Sequence, residues 1–357
     1  MNWLLLLVPL SFGLAQIPDI SPVILFFVSG LAIIPVAHLI CEATEQIALR
    51  TGDAVGGLLN ATFGNFPELI ISLVALRAGQ LNMVAASMIG AILANLLLAQ
   101  GVSFFAGGLK YHEQEYNPNS VRLYYSMMLI SVVSLAIPSA FALAGSSKEH
   151  VAAGLNLNLI IAIMLLVMYA LYLVFTLKTH PAVVSAKTDL TQTSQATVAK
   201  EPHWSKQRAI LTLVGASVLA AFLSEILVGS AEGTGEILGM STAFIGLICV
   251  AVVGGAAESL SAVSMGLRNR MDLSIGISLG SSIQIALFVA PVLVILSYFI
   301  APTPFLLVFK PQLLIFLLLS VLLSTIVAGD GRSNWYKGLQ LIILYFMLAA
   351  SVYLMPS

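Results

Sequence analysis

The sequence predicts an all-α membrane protein of about eleven transmembrane helices, built as two inverted five-helix repeats that follow one N-terminal helix. Of its 357 residues, 59% are hydrophobic and only 9% are charged, whereas soluble domains carry about 25% charged residues. The apolar residues form blocks of about 18 to 25 residues, long enough to cross the hydrocarbon core of a bilayer. A glutamate motif in the first half also recurs in the second half.

The apolar blocks follow one another along the whole chain. The first could instead be a signal peptide ending near Ala15, but it lacks the basic start of such peptides, since the first Lys or Arg is Arg50. We therefore expect a short first span that is retained. The predicted spans are 3–16, 22–41, 55–77, 81–108, 121–143, 152–176, 207–229, 240–267, 272–299, 304–327 and 337–354.

The basic residues are distributed unevenly between the two sides that this count defines. Twelve of the 15 Lys and Arg residues fall in the loops that would share a side with the N-terminus. Cytoplasmic loops carry such an excess, so the N-terminus is predicted to be cytoplasmic and the C-terminus external. The polar stretch 179–206 is predicted to be a cytoplasmic linker, which divides the chain into an N-terminal helix (1–20), a first repeat (21–178) and a second repeat (207–357).

The two halves align when the chain is shifted by 190 residues. This shift places Gly64 to Glu68 onto Gly254 to Glu258, and Glu42 onto Glu232. Each half contains five spans, an odd number, so the second half must enter the membrane from the opposite side. Inverted repeats are typical of secondary transporters, whose substrate sites lie near the midplane between the repeats.

Glu68 and Glu258 would meet at that midplane. A charged carboxylate there costs about 2.5–3.5 kcal/mol unless it is protonated, paired or bound to a cation. The apolar centres of the two spans contain no Lys or Arg partner. A protonated, purely structural glutamate is the alternative, but two at equivalent positions favour an ion site.

Helix-weakening residues next to both glutamates predict exposed backbone oxygens. Gly64, Gly254 and Gly255 favour local unwinding, and Pro67 removes a backbone donor. Carbonyl, amide and carboxylate oxygens together suit a hard cation such as Ca²⁺, although each amide could instead join two helices. The predicted ligands are Glu68, Glu258, Asn65, Gly64, Gly254, Asn95, Gln284 and Ser282, with Ser281 as a further donor.

Two adjacent carboxylates hold either one divalent cation or about two protons, and each occupant excludes the other. This competition predicts cation/proton antiport. A second set of acids near span ends could serve as a proton relay or entry, or could simply be solvated. These acids are Glu42, Glu45, Glu225, Glu232 and Glu236.

The sequence resembles the cation/proton exchanger branch of the calcium/cation antiporter superfamily, over about nine tenths of its length. The resemblance rests on Gly57 to Ile70, on Gly254 to Glu258 and on Gly280 to Pro291. It implies a ten-helix core, Ca²⁺ export coupled to proton entry, and location in a prokaryotic cell membrane. Two departures put cation selectivity in doubt: Gly255 stands where the family has Asn, and Ser259 where it often has His.

Other functions fit the sequence less well. A Na⁺/Ca²⁺ exchanger of the same fold would need more hydroxyl and carboxylate ligands. An enzyme would need a nucleophile–base pair or a metal triad in the spans, and only His38 among the five histidines lies in one. A channel would not need two inverted halves, and no basic cluster predicts nucleic-acid binding. We expect no cofactor, with Ca²⁺ and protons as the substrates.

Overall fold

The computed structural model describes residues 2–51, 56, 58–59, 62–145, 147–180 and 203–355, so most of the predicted linker 179–206 lies outside the described residues. A short 3₁₀ helix, Asn2–Leu6, precedes the first α-helix. The helices are α1 (Leu7–Ala15), α2 (Pro22–Ala48), α3 (Phe66–Arg77), α4 (Leu81–Tyr111), α5 (Pro118–Leu143), α6 (Glu149–Thr179), α7 (Lys206–Leu238), α8 (Thr242–Gly254), α9 (Ala256–Leu267), α10 (Met271–Ile300), α11 (Pro311–Ala328) and α12 (Trp335–Tyr353). The strands β1 (Glu113–Glu115) and β2 (Arg332–Asn334) pair antiparallel.

The helices confirm the predicted class, an all-α polytopic membrane protein. Among the described residues, eight helices are long and apolar enough to cross a membrane, and α8 with α9 make a ninth if this bent pair is one span. The pair bends by 58°. Because α1 and α3 are shorter than a full span, the predicted count of eleven stays a prediction.

Local chemistry fixes several helix starts. Proline occupies an initial position of α2, α5 and α11, where its missing N–H would be unpaired anyway. Ser205 caps α7 by accepting a hydrogen bond from the Arg208 amide at 3.2 Å. Proline and serine therefore mark where these helices begin, although the hydropathy of the sequence varies little from one element to the next.

The helix bounds repeat at the offset found in the sequence. Adding 190 to the bounds of α3 gives those of α9, and adding 190 to the end of α2 gives the end of α7. The equivalent helices α2 and α7 run in opposite directions, since a Cβ atom at Gly233 would lie 2.9 Å from Pro22 and the Trp204 amide donates to Gln46 at 3.2 Å. An inverted repeat requires this antiparallel arrangement.

Three π-helical segments interrupt the long helices near the middle of the protein. Ala94–Ala99 lies within α4, Ile245–Val250 within α8, and Ile285–Val289 within α10. The first and third occupy nearly equivalent positions of the two repeats. Such segments change which residues face a neighbouring helix and are frequent at functional sites.

Three helix boundaries differ from the predicted span limits. Helices α2 and α7 continue to Ala48 and Leu238, well beyond the predicted ends at 41 and 229. Helix α11 begins at Pro311 instead of 304, because residues 303–310 are not helical and the segment 301–311 contains three prolines.

The non-helical segment 301–310 is held by side chains of neighbouring helices. Asn158 of α6 donates to the Phe305 carbonyl at 3.1 Å and accepts from the Leu307 amide at 2.8 Å. Ser139 of α5 accepts from the Phe309 amide at 2.9 Å. Buried backbone groups without partners are costly, so these side chains allow an extended segment to pack inside the helical bundle.

We expect Asn158→Ala to destabilise the protein by about 2 kcal/mol or more, because two buried backbone groups lose their partner. Thermal unfolding of the detergent-purified protein measures this effect. Asn156→Ala is the matched control, since Asn156 lies on the same helix and is exposed. Equal melting temperatures for the two variants would contradict the role assigned to Asn158.

Candidate cation-binding site

The glutamates lie where the helices of each repeat break. Gly64 and Asn65 form a turn before α3, and Gly255 separates α8 from α9. Glu68 lies in the first turn of α3, and Glu258 in the first turn of α9. Helix N-termini favour negative charge by about 0.3–1 kcal/mol at exposed sites, so both breaks are suited to a carboxylate.

The two breaks approach each other through Glu68. A Cβ atom at Gly254 would lie 3.1 Å from Glu68 Cγ, and one at Gly255 would lie 3.6 Å from Glu68 Oε1. Glu68 of the first repeat therefore packs against the break of the second repeat. That the two glutamates meet stays a prediction, and the contacts of Glu68 with Gly254 and Gly255 support it.

Three carboxylate oxygens in this region are buried without a hydrogen-bond partner. They are both oxygens of Glu68, which is 8% exposed, and Oε2 of the half-buried Glu258. Buried polar atoms almost always find a partner, so unpaired carboxylate oxygens need an explanation. A bound cation or proton would supply the missing partner.

A chain of hydrogen bonds connects the repeats beside these oxygens. Asn95 Nδ2 donates to Ser281 Oγ at 3.0 Å, and Ser281 Oγ donates to Asn65 Oδ1 at 2.8 Å. Asn65 Nδ2 then donates to Gln284 Oε1 at 2.5 Å. The structure thus brings together three predicted ligands, but it uses the oxygens of Asn65 and Gln284 within the network. Asn95 Oδ1 faces the break, 3.8 Å from a Cβ atom at Gly255.

Ser282, which was predicted as a ligand, does not join this network, and its role as a ligand stays a prediction. Its hydroxyl donates to the Ser278 carbonyl of its own helix at 3.0 Å. Successive helical residues point about 100° apart, so only one of the two adjacent serines can face the other repeat. That residue is Ser281.

Cys41 was not predicted to contribute to this region. Its Sγ lies 3.8 Å from the Gly64 carbonyl oxygen, in the geometry of a weak hydrogen bond. The predicted ligand Gly64 therefore already has a partner in this conformation. No motif or spacing signals a cysteine in this role, because the contact joins α2 to a turn 23 residues away.

A small cavity lies beside Glu68. Its volume is about 20 Å³, roughly the space of one water molecule. Most of its lining is apolar, so Glu68 is its dominant polar group. The lining residues are Glu68, Ile71, Ser72, Ser87, Met88, Ala91, Val250, Ala251, Gly254, Ile285 and Val289.

The second set of acids divides between the two ends of the helix pair α2 and α7. Glu42 and Glu45 lie in the last two turns of α2, and Glu232 and Glu236 in the last two turns of α7. Because these helices are antiparallel, the two pairs lie at opposite ends. Glu225 approaches Arg77 at 3.9 Å, and both side chains are mostly exposed.

Comparison with known proteins identifies the family. The sequence profile of the sodium/calcium exchanger protein family matches residues 21–178 and 208–354. The chain belongs to this family. Its relatives lie on the cation/proton exchanger side of it, as the motifs predict: the Ca²⁺/H⁺ antiporter ChaA of Bacillus subtilis is 40% identical, with 93% of this chain and 92% of ChaA covered. The vacuolar cation/proton exchanger 2 of rice is 35% identical, with coverages of 92% and 75%.

Solved structures agree with this assignment. The structure of native YfkE matches with a TM-score of 0.83 at 37% identity and covers 99% of this chain and 100% of that chain. The H⁺/Ca²⁺ exchanger CAX matches with a TM-score of 0.72 at 17% identity, covering 100% and 88%, which shows a shared fold. The relatives are named as antiporters, exchangers and transporters, which confirms that this family member is a transporter and not an enzyme.

We expect Ser281→Ala to destabilise the protein by about 1–3 kcal/mol, since Asn95 and Asn65 each lose a buried hydrogen-bond partner. Ser282→Ala is the control, because the neighbouring hydroxyl bonds only within its own helix. Thermal unfolding in detergent compares the two. A Ser282→Ala effect as large as that of Ser281→Ala would contradict the network as the link between the repeats.

Proposed function

We propose that this chain exports cytoplasmic Ca²⁺ in exchange for external protons, with both substrates competing for Glu68 and Glu258. The observation that carries the proposal is the set of buried, unpartnered carboxylate oxygens at repeat-related helix breaks. The names of the relatives agree with it, because ChaA of Bacillus subtilis and the matching protein of Synechocystis are both called Ca²⁺/H⁺ antiporters.

Electrostatics couples the two fluxes. With both carboxylates ionised and the site unloaded, two like charges face each other in a medium of low dielectric constant, which is unfavourable. One Ca²⁺ or two protons neutralise the pair. Only a site occupied by Ca²⁺ or by two protons then changes its exposure from one side of the membrane to the other at a low free-energy cost. The passage of Ca²⁺ in one direction is therefore coupled to the passage of protons in the other.

The inverted arrangement supports alternating access as the transport mechanism. The helix pair α2 and α7 runs antiparallel beside the two breaks, and rocking of such elements around a fixed site exposes it to one side and then to the other. In this proposal Glu42, Glu45, Glu225, Glu232 and Glu236 conduct protons between solvent and the site. Their positions at opposite ends of the α2–α7 pair suit entry on one side and release on the other.

The contacts between loops support the predicted sidedness. Lys110 donates to the Leu267 carbonyl at 2.9 Å, and Arg332 pairs with Glu113 and Glu115 at 3.2 and 3.3 Å. These contacts join loops that the charge distribution assigns to the cytoplasmic side. We therefore propose a cytoplasmic N-terminus and an external C-terminus in a prokaryotic cell membrane.

Sodium-driven Ca²⁺ exchange is the second candidate function, favoured only by the breadth of the family. The structures of a sodium–calcium exchanger match at 17–19% identity and TM-scores of 0.54–0.56, which shows the fold alone. Ca²⁺ uptake into everted vesicles separates the two functions. Uptake driven by a pH gradient without Na⁺ supports proton exchange, whereas a Na⁺ requirement would overturn it.

We expect Glu68→Gln and Glu258→Gln each to abolish pH-dependent Ca²⁺ transport, because a neutral amide binds neither a proton nor a divalent cation as a carboxylate does. Flux into everted vesicles measures this loss, and size-exclusion profiles show that each variant folds. Glu149→Gln is the control, since Glu149 is exposed at the start of α6. Near wild-type flux in either variant would contradict the assignment of Glu68 and Glu258 to the transport site.

We also expect two protons to move for each Ca²⁺, because two carboxylates neutralise either load. The exchange would then be electroneutral, and clamping the membrane potential at different values would leave the rate unchanged. Simultaneous recording of Ca²⁺ and proton fluxes in vesicles tests this ratio. A ratio of three would require a further acid, with Glu42 and Glu232 as the first to replace.

A further inference from the structure

The two helix breaks differ at one position. The shift of 190 residues places Gly255 on Asn65. The backbone torsion angles of the two residues are similar, with φ −93° and ψ 23° at Asn65 and φ −80° and ψ 6° at Gly255. Because both φ values are negative, the backbone at Gly255 accepts any ordinary side chain. Conformation therefore does not explain the glycine.

Packing does not explain it either. The nearest atoms to a Cβ atom at Gly255 would be the Ala251 carbonyl oxygen at 3.5 Å, Glu68 Oε1 at 3.6 Å and Asn95 Oδ1 at 3.8 Å. All three are ordinary van der Waals distances, so an alanine would fit. By contrast, a Cβ atom at Gly254 would press on Glu68 Cγ at 3.1 Å.

The surroundings of this position are polar. Its three nearest atoms are all oxygens: a carbonyl, a carboxylate and an amide. The carboxylate belongs to Glu68, whose two oxygens are buried and unpartnered. The cavity of about 20 Å³, which has the size of one water molecule, lies on the Gly254 side of the same break; Glu68 and Ala251 line it, whereas Gly255 and Asn95 do not.

We propose that Gly255 determines cation specificity, because the space beside it takes a water molecule that remains on the transported cation. That water would lie among Glu68 Oε1, Asn95 Oδ1 and the Ala251 carbonyl, and it would fill the position that Asn65 occupies in the other repeat. The inference rests on the proposed function, since it assigns the shape of the site that Glu68 and Glu258 form.

A water ligand adapts to the size of the ion more easily than a fixed side chain. Ca²⁺ accepts six to eight oxygens at about 2.3–2.6 Å, whereas Mg²⁺ demands a tight octahedron at about 2.0–2.1 Å. A site that contains a mobile water adjusts to longer metal–oxygen distances. This chain should therefore carry Sr²⁺ nearly as well as Ca²⁺ and discriminate against Mg²⁺.

Two substitutions test the water directly. Gly255→Ala fills its space without supplying an oxygen, so the KM for Ca²⁺ should rise about tenfold while the maximal rate changes little. Gly255→Asn supplies an amide oxygen on a fixed side chain. The KM for Ca²⁺ should then stay within about threefold of wild type, while the ratio of the KM for Sr²⁺ to that for Ca²⁺ should rise about tenfold.

Gly280→Ala is the matched control. A Cβ atom at Gly280, which precedes Ser281 in α10, would meet no atom within 4 Å, so this variant should transport both cations like the wild type. The KM values come from pH-driven uptake of Ca²⁺ and Sr²⁺ into everted vesicles. Size-exclusion profiles confirm that each variant folds, and a misfolded Gly255→Ala leaves the Gly255→Asn ratio as the deciding measurement.

The outcomes separate this inference from the proposed function. Wild-type vesicles without proton-driven Ca²⁺ uptake would overturn both. If the wild type exchanges Ca²⁺ for protons but the KM of Gly255→Ala equals that of Gly280→Ala, the water is not a ligand. An unchanged Sr²⁺-to-Ca²⁺ ratio in Gly255→Asn would equally overturn the role of Gly255 in specificity.

Discussion

Burial of carboxylates without a cationic partner is the constraint on which the rest of this structure depends. Both oxygens of Glu68 are enclosed and unpartnered, and an ionised group in such surroundings is strongly disfavoured. A helix N-terminus offsets part of that cost. A helix can begin in the middle of a membrane only where the preceding helix ends, so each glutamate needs a break directly before it. The turn at Gly64 and Asn65 and the bend at Gly255 meet this need.

The breaks in turn determine what must surround them. Each frees backbone groups that lipid cannot satisfy, so a break persists only inside the protein or beside water. Here the repeats enclose each other's breaks: Glu68 of the first repeat packs on Gly254 of the second, and Asn65 bonds to Ser281 and Gln284. The site and the interface between the repeats are therefore the same set of contacts.

The sequence predicts well those features that depend on composition and on order along the chain. The apolar blocks predict the helical class, and the glycines with Pro67 predict where the helices break. Features that depend on rotation about a helix axis are not predicted. Ser281 and Ser282 have the same chemistry, and only the orientation of α10, which continues into the π-helical segment Ile285–Val289, decides which one reaches Asn65. Hydropathy likewise does not distinguish the apolar extended segment before Pro311 from the start of a helix.

The hydrogen-bond donors and acceptors around the helix break indicate which kind of ion the site binds. The amide donors of Asn95 and Asn65 and the Ser281 hydroxyl are used within the network. What remains at the break is a pair of acceptor groups, the Glu68 carboxylate and Asn95 Oδ1, next to the Ala251 carbonyl, which accepts from the Gly255 amide at 3.1 Å. Acceptors without donors attract protons and hard cations and repel anions. The hydrogen bonds that join the repeats therefore also prepare the site, because the bond to Ser281 turns the Asn95 amide so that its donor faces the protein and its oxygen faces the break.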